Sequence, residues 1–222
     1  MKKAFGDTCI FIAITFLINS HYTRAKNVFN TYDEIFWSIN VKNEFNNRFD
    51  EKYDKLLEIF SDIQEELEKI NKEFYCITDL KKYIKRNFKD NKFKEAENSV
   101  NPFWNKYIGN EDQVIIIKMQ HAIDKCLIDL RVISSLKKNE LNKNILLTPK
   151  RDDEYSKINI MLETNGVTEK DRIIALDGHD FALRSNFDVD LITFDDAFYF
   201  GAEKVKKLAF SNIKSKYDFK TT

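Results

Sequence analysis

Four acidic side chains in this chain are spaced so that one fold could gather them. Asp7 directly follows Lys3–Gly6, where a short strand is expected, and Asp195 ends the apolar strand expected over Val189–Phe194. Open parallel sheets bind their ligands in the crevice beyond the C-terminal ends of the strands. Asp171 closes Thr168-Glu-Lys-Asp171, which has the S/T-x-x-E/D spacing of a capping box and opens a helix running to about Ser185. Ile174, Ala175, Gly178 and Ala182 continue its face, and the small residues let it pack close against a sheet, which brings Asp171 to the same rim. Glu44 closes a helix expected over Thr31–Phe45, whose apolar side is Ile35, Phe36, Ile39 and Phe45. Four carboxylates at one rim repel one another unless cations neutralise them. Mg²⁺ or Mn²⁺ suits such oxygen ligands, and a solvent-facing site of this kind suits phosphodiester hydrolysis. Taken singly, each acid also has a structural role: Asp171 as a cap, Asp195 as a turn former.

These strings together resemble the PIN domain. The resemblance is carried by Asp7-Thr8 after a strand, Val41-Lys-Asn-Glu44-Phe45, Thr168-Glu-Lys-Asp171 with Ala175 behind it, and Leu191-Ile-Thr-Phe-Asp195-Asp-Ala-Phe198. It spans residues 1–48 and 150–205, and its last motif is the most specific. It implies a three-layer α/β/α fold with a small central parallel sheet over 1–48 and 150–222, interrupted by a helical insertion over 49–149. It also implies a divalent-metal-dependent ribonuclease of the VapC-like toxin or RNA-processing kind. In that resemblance Asp7, Glu44, Asp171 and Asp195 hold one or two Mg²⁺ or Mn²⁺ ions, Thr8 and Thr193 orient the carboxylates, and in-line hydrolysis leaves a 5′-phosphate and a 3′-hydroxyl. The implied substrate is single-stranded or structured RNA, and an antitoxin-like inhibitor is the implied protein partner. The chain departs from the pattern in its long Glu44–Asp171 segment and in a wide Asp171–Asp195 interval. Asp177 competes for the third acidic position by interval, but it falls mid-helix and points away from the small-residue face.

Other chemistry is weaker. His179-Asp180 matches the His-Asp pair of metal phosphohydrolases, but His21 and His121 lack the spacing to complete it, so His179 reads as a partly buried structural histidine. No G-x-S-x-G elbow and no P-loop is present. Asp196 reads as a solvated turn residue, and Arg184 and Lys42 as surface charge with an outside claim on phosphate. The basic run Lys81–Lys94 interleaves Tyr83, Phe88 and Phe93, so Lys82, Lys85 and Arg86 are the candidate RNA contacts. A solvated helix with its aromatics turned inward is the structural alternative.

The elements that must position these groups follow from pattern and composition. The chain has 222 residues, 36 Lys plus Arg against 36 Asp plus Glu, and 43% hydrophobic residues, which excludes a disordered charged tail and gives no global pull toward nucleic acid. Five Gly and two Pro favour long helices with short connections. Cys9, Cys76 and Cys126 show no paired spacing, so buried free thiols in a reducing cytoplasm are expected. Met1-Lys-Lys before the apolar run Cys9–Ile18 has the look of a leader. The run is half the ~20 residues of a membrane span, so a buried strand and helix are expected there. Phe49, Tyr53, Leu56, Phe60, Ile63, Leu67, Ile70 and Phe74 step alternately by four and three, the seam of a long amphipathic helix. That seam packs within its own domain or joins a homodimer. Asn101-Pro102 is expected to break the chain, and Asp112–Lys138 to form a buried helix apolar nearly all round. Asp153–Glu163 and Ala202–Phe210 are the last helices expected outside the Asp171 one. A non-catalytic, PIN-derived scaffold acting through its helical insert is the alternative function.

Overall fold

The structure is a computed structural model that describes residues 1–70 and 76–219. Among them five short strands form one parallel sheet, β1 (Lys3–Gly6), β2 (Glu34–Trp37), β3 (Leu146–Leu147), β4 (Val189–Ile192) and β5 (Asn212–Lys214), in the order β3-β2-β1-β4-β5. The helices are α1 (Thr8–Thr15), α2 (Tyr22–Thr31), α3 (Ile39–Ile70), α4 (Ile77–Asn87), α5 (Asp90–Tyr107), α6 (Ile116–Asp129), α7 (Ser135–Asn144), α8 (Ser156–Thr164), α9 (Glu169–Arg184) and α10 (Asp196–Glu203). A π-helical turn, Leu130–Ser134, joins α6 to α7. No described helix is long and apolar enough to cross a membrane.

The chain divides into two compact units. The first comprises 1–12, 23–47 and 140–222 and contains the whole sheet. A parallel sheet has to be covered on both faces, and the register shows how this is done. Phe5 of β1 lies opposite Phe36 of β2. On that face Phe36 packs against Phe181 of α9, ring centroids 4.7 Å apart, while α9 presents Gly178 to Phe5. On the other face Trp37 meets Phe11 of α1 at 4.9 Å and Phe45 of α3 at 5.7 Å. The parallel sheet of this unit therefore has helices packed on both faces. The small-residue face read from α9 lies against the sheet, as the sequence implied.

The second unit comprises 13–22 and 48–139. Leu56, Phe60, Ile63 and Leu67 of the heptad seam are all buried, with Phe60 against Phe103 of α5 at 4.9 Å, and Phe49 stacks on Phe16. The described stripe is thus covered within the chain. Phe74 and the side chain of Ile70 lie outside the described residues.

Several expected elements are corrected. Residues 31–45 are not one helix: α2 ends at Thr31, β2 intervenes, and α3 begins at Ile39. Three apolar residues after Glu34 have no readable period, so only pairing within the sheet decides that Glu34–Trp37 is a strand. Pro102 does not break the chain but lies inside α5. The helix expected over 112–138 starts at Ile116 and loosens into the π turn, and it is not buried all round, since Ile117, Ile128 and Val132 are exposed. The last helix is α10, not 202–210, because Asp195 caps it early: its Oδ1 accepts from Phe198 N at 2.9 Å. The helix before Gly166 starts at Ser156, and β3 and β5 are too short to show any alternation.

A Cβ on Gly178 would lie 2.7 Å from Phe5 Cδ1 and 2.8 Å from Phe210 Cζ. Gly178→Ala is therefore expected to destabilise by about 1–3 kcal/mol through overpacking. The roughly 1 kcal/mol that Ala gains over Gly in a helix offsets part of this and leaves a net loss of up to about 2 kcal/mol. Urea denaturation checks this; an unchanged or raised midpoint would mean that the two rings yield without cost.

Candidate active site

In the sheet the chain proceeds outward from β1 to β2 and β3 and then returns to the other side of β1 for β4 and β5. The order therefore switches at the β1–β4 pair, and the crevice beyond the ends of those strands is where an open α/β sheet takes its ligand. Asp7 leaves β1 there, its N–H donating to the carbonyl of Ile192, the last residue of β4, at 2.9 Å.

The Asp7 side chain is buried. Its Oδ2 accepts from Thr193 Oγ1 at 2.8 Å and from the Cys9 thiol at 3.0 Å. Burial pushes the Asp7 carboxyl up to about 6, opposed by those two hydrogen bonds and reinforced by the negative charges of Asp171 and Glu44. Glu44, one turn inside α3, accepts from Thr8 Oγ1 at 2.7 Å through Oε2. Asp171 is held by its own helix cap: Thr168 Oγ1 accepts from Asp171 N at 3.4 Å and donates to Asp171 Oδ2 at 2.5 Å. Asp195 is exposed, with its N–H donating to Thr193 Oγ1 at 3.0 Å. Thr193 thus joins the loop after β4 to the carboxylate after β1.

Asp7, Glu44 and Asp171 therefore share one electrostatic neighbourhood, and Asp195 is tied to it through Thr193. Among the described residues no group of three or more His, Cys, Asp or Glu side chains stands ready to hold a metal ion. Asp177 belongs elsewhere: it is buried, accepts from Asn40 Nδ2 at 2.8 Å and lies 3.7 Å from Arg151 Nε. Asp196 pairs with Lys216 at 2.6 Å. Arg184 is engaged with Asp180 and Asp152, and Lys42 lies 5.9 Å from the Trp37 ring centre. His179 is buried, with Nδ1 accepting from Ala209 N at 2.9 Å, and burial lowers its pKa, so it is a neutral core group.

Cys9 is the site residue that spacing alone presents as a plain thiol. Its sulfur accepts from Phe194 N at 3.0 Å while its proton goes to Asp7. Burial and then the Asp7 charge raise the thiol well above its ordinary value, which keeps it a donor. Its position two residues past Asp7, at the start of a helix, was the available signal. Of the three cysteines only Cys126 is fully buried.

In the second unit, α4 turns Leu80 and Ile84 inward and leaves Lys81, Lys82, Lys85 and Arg86 outside. Phe88 is buried, with Tyr83 edge-on to it at 5.9 Å, so these aromatics pack inward and do not form a stacking platform. Lys92 is bound to Glu58 and Asp62. Comparison with protein-family models, characterised proteins and solved structures yields no match.

The Asp7 environment fixes a pH dependence. Its folded value of about 6 exceeds the ordinary 3.8, so the stability that its neutral form contributes is fully present below pH ~4 and lost as pH rises through 6. The loss amounts to about 3 kcal/mol. In metal-free buffer, the melting temperature of Asp7→Asn relative to wild type is expected to climb between pH ~4 and ~6.5 and to level off above that. Parallel profiles for the two proteins would refute the assignment.

Proposed function

We propose that this chain is a divalent-metal-dependent nuclease that hydrolyses phosphodiester bonds of single-stranded or structured RNA. It would be a PIN-like enzyme of the toxin or RNA-processing kind, working in the cytoplasm. The observation that carries this is the buried Asp7 carboxylate at the sheet's switch point, with Glu44 and Asp171 close enough to raise its pKa. Such an arrangement stores repulsion that a hard cation relieves, and its donor set is all oxygen, as Mg²⁺ and Mn²⁺ require. Asp7, Glu44, Asp171 and Asp195 would hold the cation. It would supply Lewis-acid charge at the scissile phosphate and lower the pKa of a water.

The chain's own groups do the rest. Thr193 and Cys9 fix the Asp7 carboxylate by donating to the same oxygen, and Thr8 fixes Glu44. The Asp195 cap keeps its carboxylate at the rim, where the strand of a substrate passes. The exposed cations of α4 suit phosphate contacts through Lys82, Lys85 and Arg86. An antitoxin-like inhibitor would act by covering the rim.

Cleavage of a single-stranded RNA with Mn²⁺ or Mg²⁺ is the direct test. Asp7→Asn and Asp195→Asn are each expected to reduce it by roughly 100-fold or more. Metal-dependent cleavage that survives both changes would remove the site from the mechanism. A non-catalytic binding or scaffold role is the alternative, favoured by the lack of a ready-made three-ligand group among the described residues. Full folding with neither metal binding nor cleavage would support it.

A variant with Lys82, Lys85 and Arg86 all changed to Glu is expected to bind RNA more weakly. Its log–log salt slope should be shallower by about 2, at ~0.7 for each single-strand phosphate that is no longer neutralised. Unchanged affinity and slope would take α4 out of substrate binding.

A further inference from the structure

A cavity lies in the first unit at the start of α3, with a volume of about 190 Å³. Ser38, Asn40, Lys150, Arg151, Glu154 and Asp177 are among its lining residues. Two connections form it. Ser38 leaves β2 and caps α3, its Oγ accepting from Val41 N at 3.3 Å. The segment after β3 is pinned beside it by Thr148 N donating to Trp37 O at 2.9 Å, and Lys150 and Arg151 follow.

The hydrogen bonds in this cavity do not close. Asp177 is satisfied: Asn40 Nδ2 donates to its Oδ2, and Arg151 Nε faces its Oδ1. Arg151 Nη2 reaches only the exposed Glu154, at 4.0 Å, and Nη1 is buried with no partner among the described residues. The hydroxyl of buried Thr148, at the start of the same segment, also lacks a partner. Buried donors are rarely left unmet, and a guanidinium nitrogen without a partner at a cavity can donate to an oxyanion there. Lys150 is exposed beside it, and the first turn of α3 carries no acidic residue, so the acids at the cavity are Asp177 and Glu154, both facing Arg151.

The position of the cavity narrows the ligand. Asn40 and Glu44 are four residues apart on one face of α3, a rise of about 6 Å. Asn40 belongs to the cavity, and Glu44 faces Asp7. One helical turn therefore separates the oxyanion position from the carboxylate rim. We propose that Arg151, Lys150 and the start of α3 form a phosphate subsite, which takes the backbone phosphate adjoining the scissile one. The second clause rests on the nuclease function; phosphate binding itself does not.

The test begins without metal or RNA. Inorganic phosphate is titrated into the metal-free protein, and amide and Arg Nε–H resonances are followed by NMR. Saturable shifts are expected at Ser38, Asn40 and Arg151. Arg151→Met should weaken the half-saturation roughly tenfold, with Arg151→Lys intermediate because it keeps the charge and loses the fork. Lys150→Met, at an exposed position, should weaken it without endangering the fold, and it decides the matter if Arg151→Met does not fold. No saturable shift in the wild type, or the same half-saturation in the folded variants, overturns the subsite. Cleavage kinetics then separate the two clauses. Arg151→Met is expected to raise KM, and a methylphosphonate at the linkage next to the scissile one should abolish the difference from wild type. Phosphate binding without cleavage of any RNA leaves the subsite standing and removes the nuclease. Cleavage without phosphate binding removes the subsite alone.

Discussion

A carboxylate that leaves a central parallel strand cannot keep its water. β1 is paired on both edges and covered on both faces, so the first residue past its end is already inside the protein. Asp7 occupies that position, and the rim is arranged around making its charge tolerable. Thr193 and Cys9 donate to one oxygen, and the loop after β4 is tied through Thr193 to the β1 end. Even so the charge stays costly, because Glu44 and Asp171 are brought near rather than kept away. A fold selected only for stability would replace one of these acids or set a cationic side chain against Asp7. The persistence of costly charge at a sheet switch point is the structural feature that function has to explain.

The same constraint orders the helices. α9 must approach closely enough to bring Asp171 to the rim, and it does so by presenting Gly178 to Phe5. α3 starts directly at the end of β2, so Glu44 follows within its first turns, and Asn40 lies one turn earlier on the same face. Each of these two helices thus serves both places: Glu44 and Asp171 near Asp7, Asn40 and Asp177 at the neighbouring cavity. Asp177 is neutralised locally by Arg151 and Asn40, whereas the groups that set the Asp7 pKa include no cation. Two acids six residues apart on α9 therefore have different electrostatic roles.

The helical unit shows a different economy. The described part of its heptad stripe is covered internally, Phe60 against Phe103. What α4 offers outward is charge, since Tyr83 packs edge-on to the buried Phe88. Any partner of this face would be attracted by cations rather than by stacking.

Much of this was legible before folding. β1 and its Asp7, the capped start of α9, the Gly166 stop before it, the small face of α9 and the apolar seam of α3 all follow from local rules of spacing and capping, which operate over a few residues. What distance in sequence conceals was decided only by the tertiary structure. β2 is indistinguishable from a helical turn until β1 pairs with it, and β3 and β5 are too short to have a period at all. Pro102 stays helical because its neighbours bury Val100, Phe103 and Trp104, and burial outweighs one missing donor. The contrast between Asp171 and Asp177 depends on Arg151 and Asn40 arriving from other elements, and the role of Cys9 depends on Asp7 and Phe194 meeting at its sulfur. Spacing determined which residues could share a face; burial and pairing across the sheet determined which charges would meet, because desolvation and Coulomb forces act through space and not along the chain.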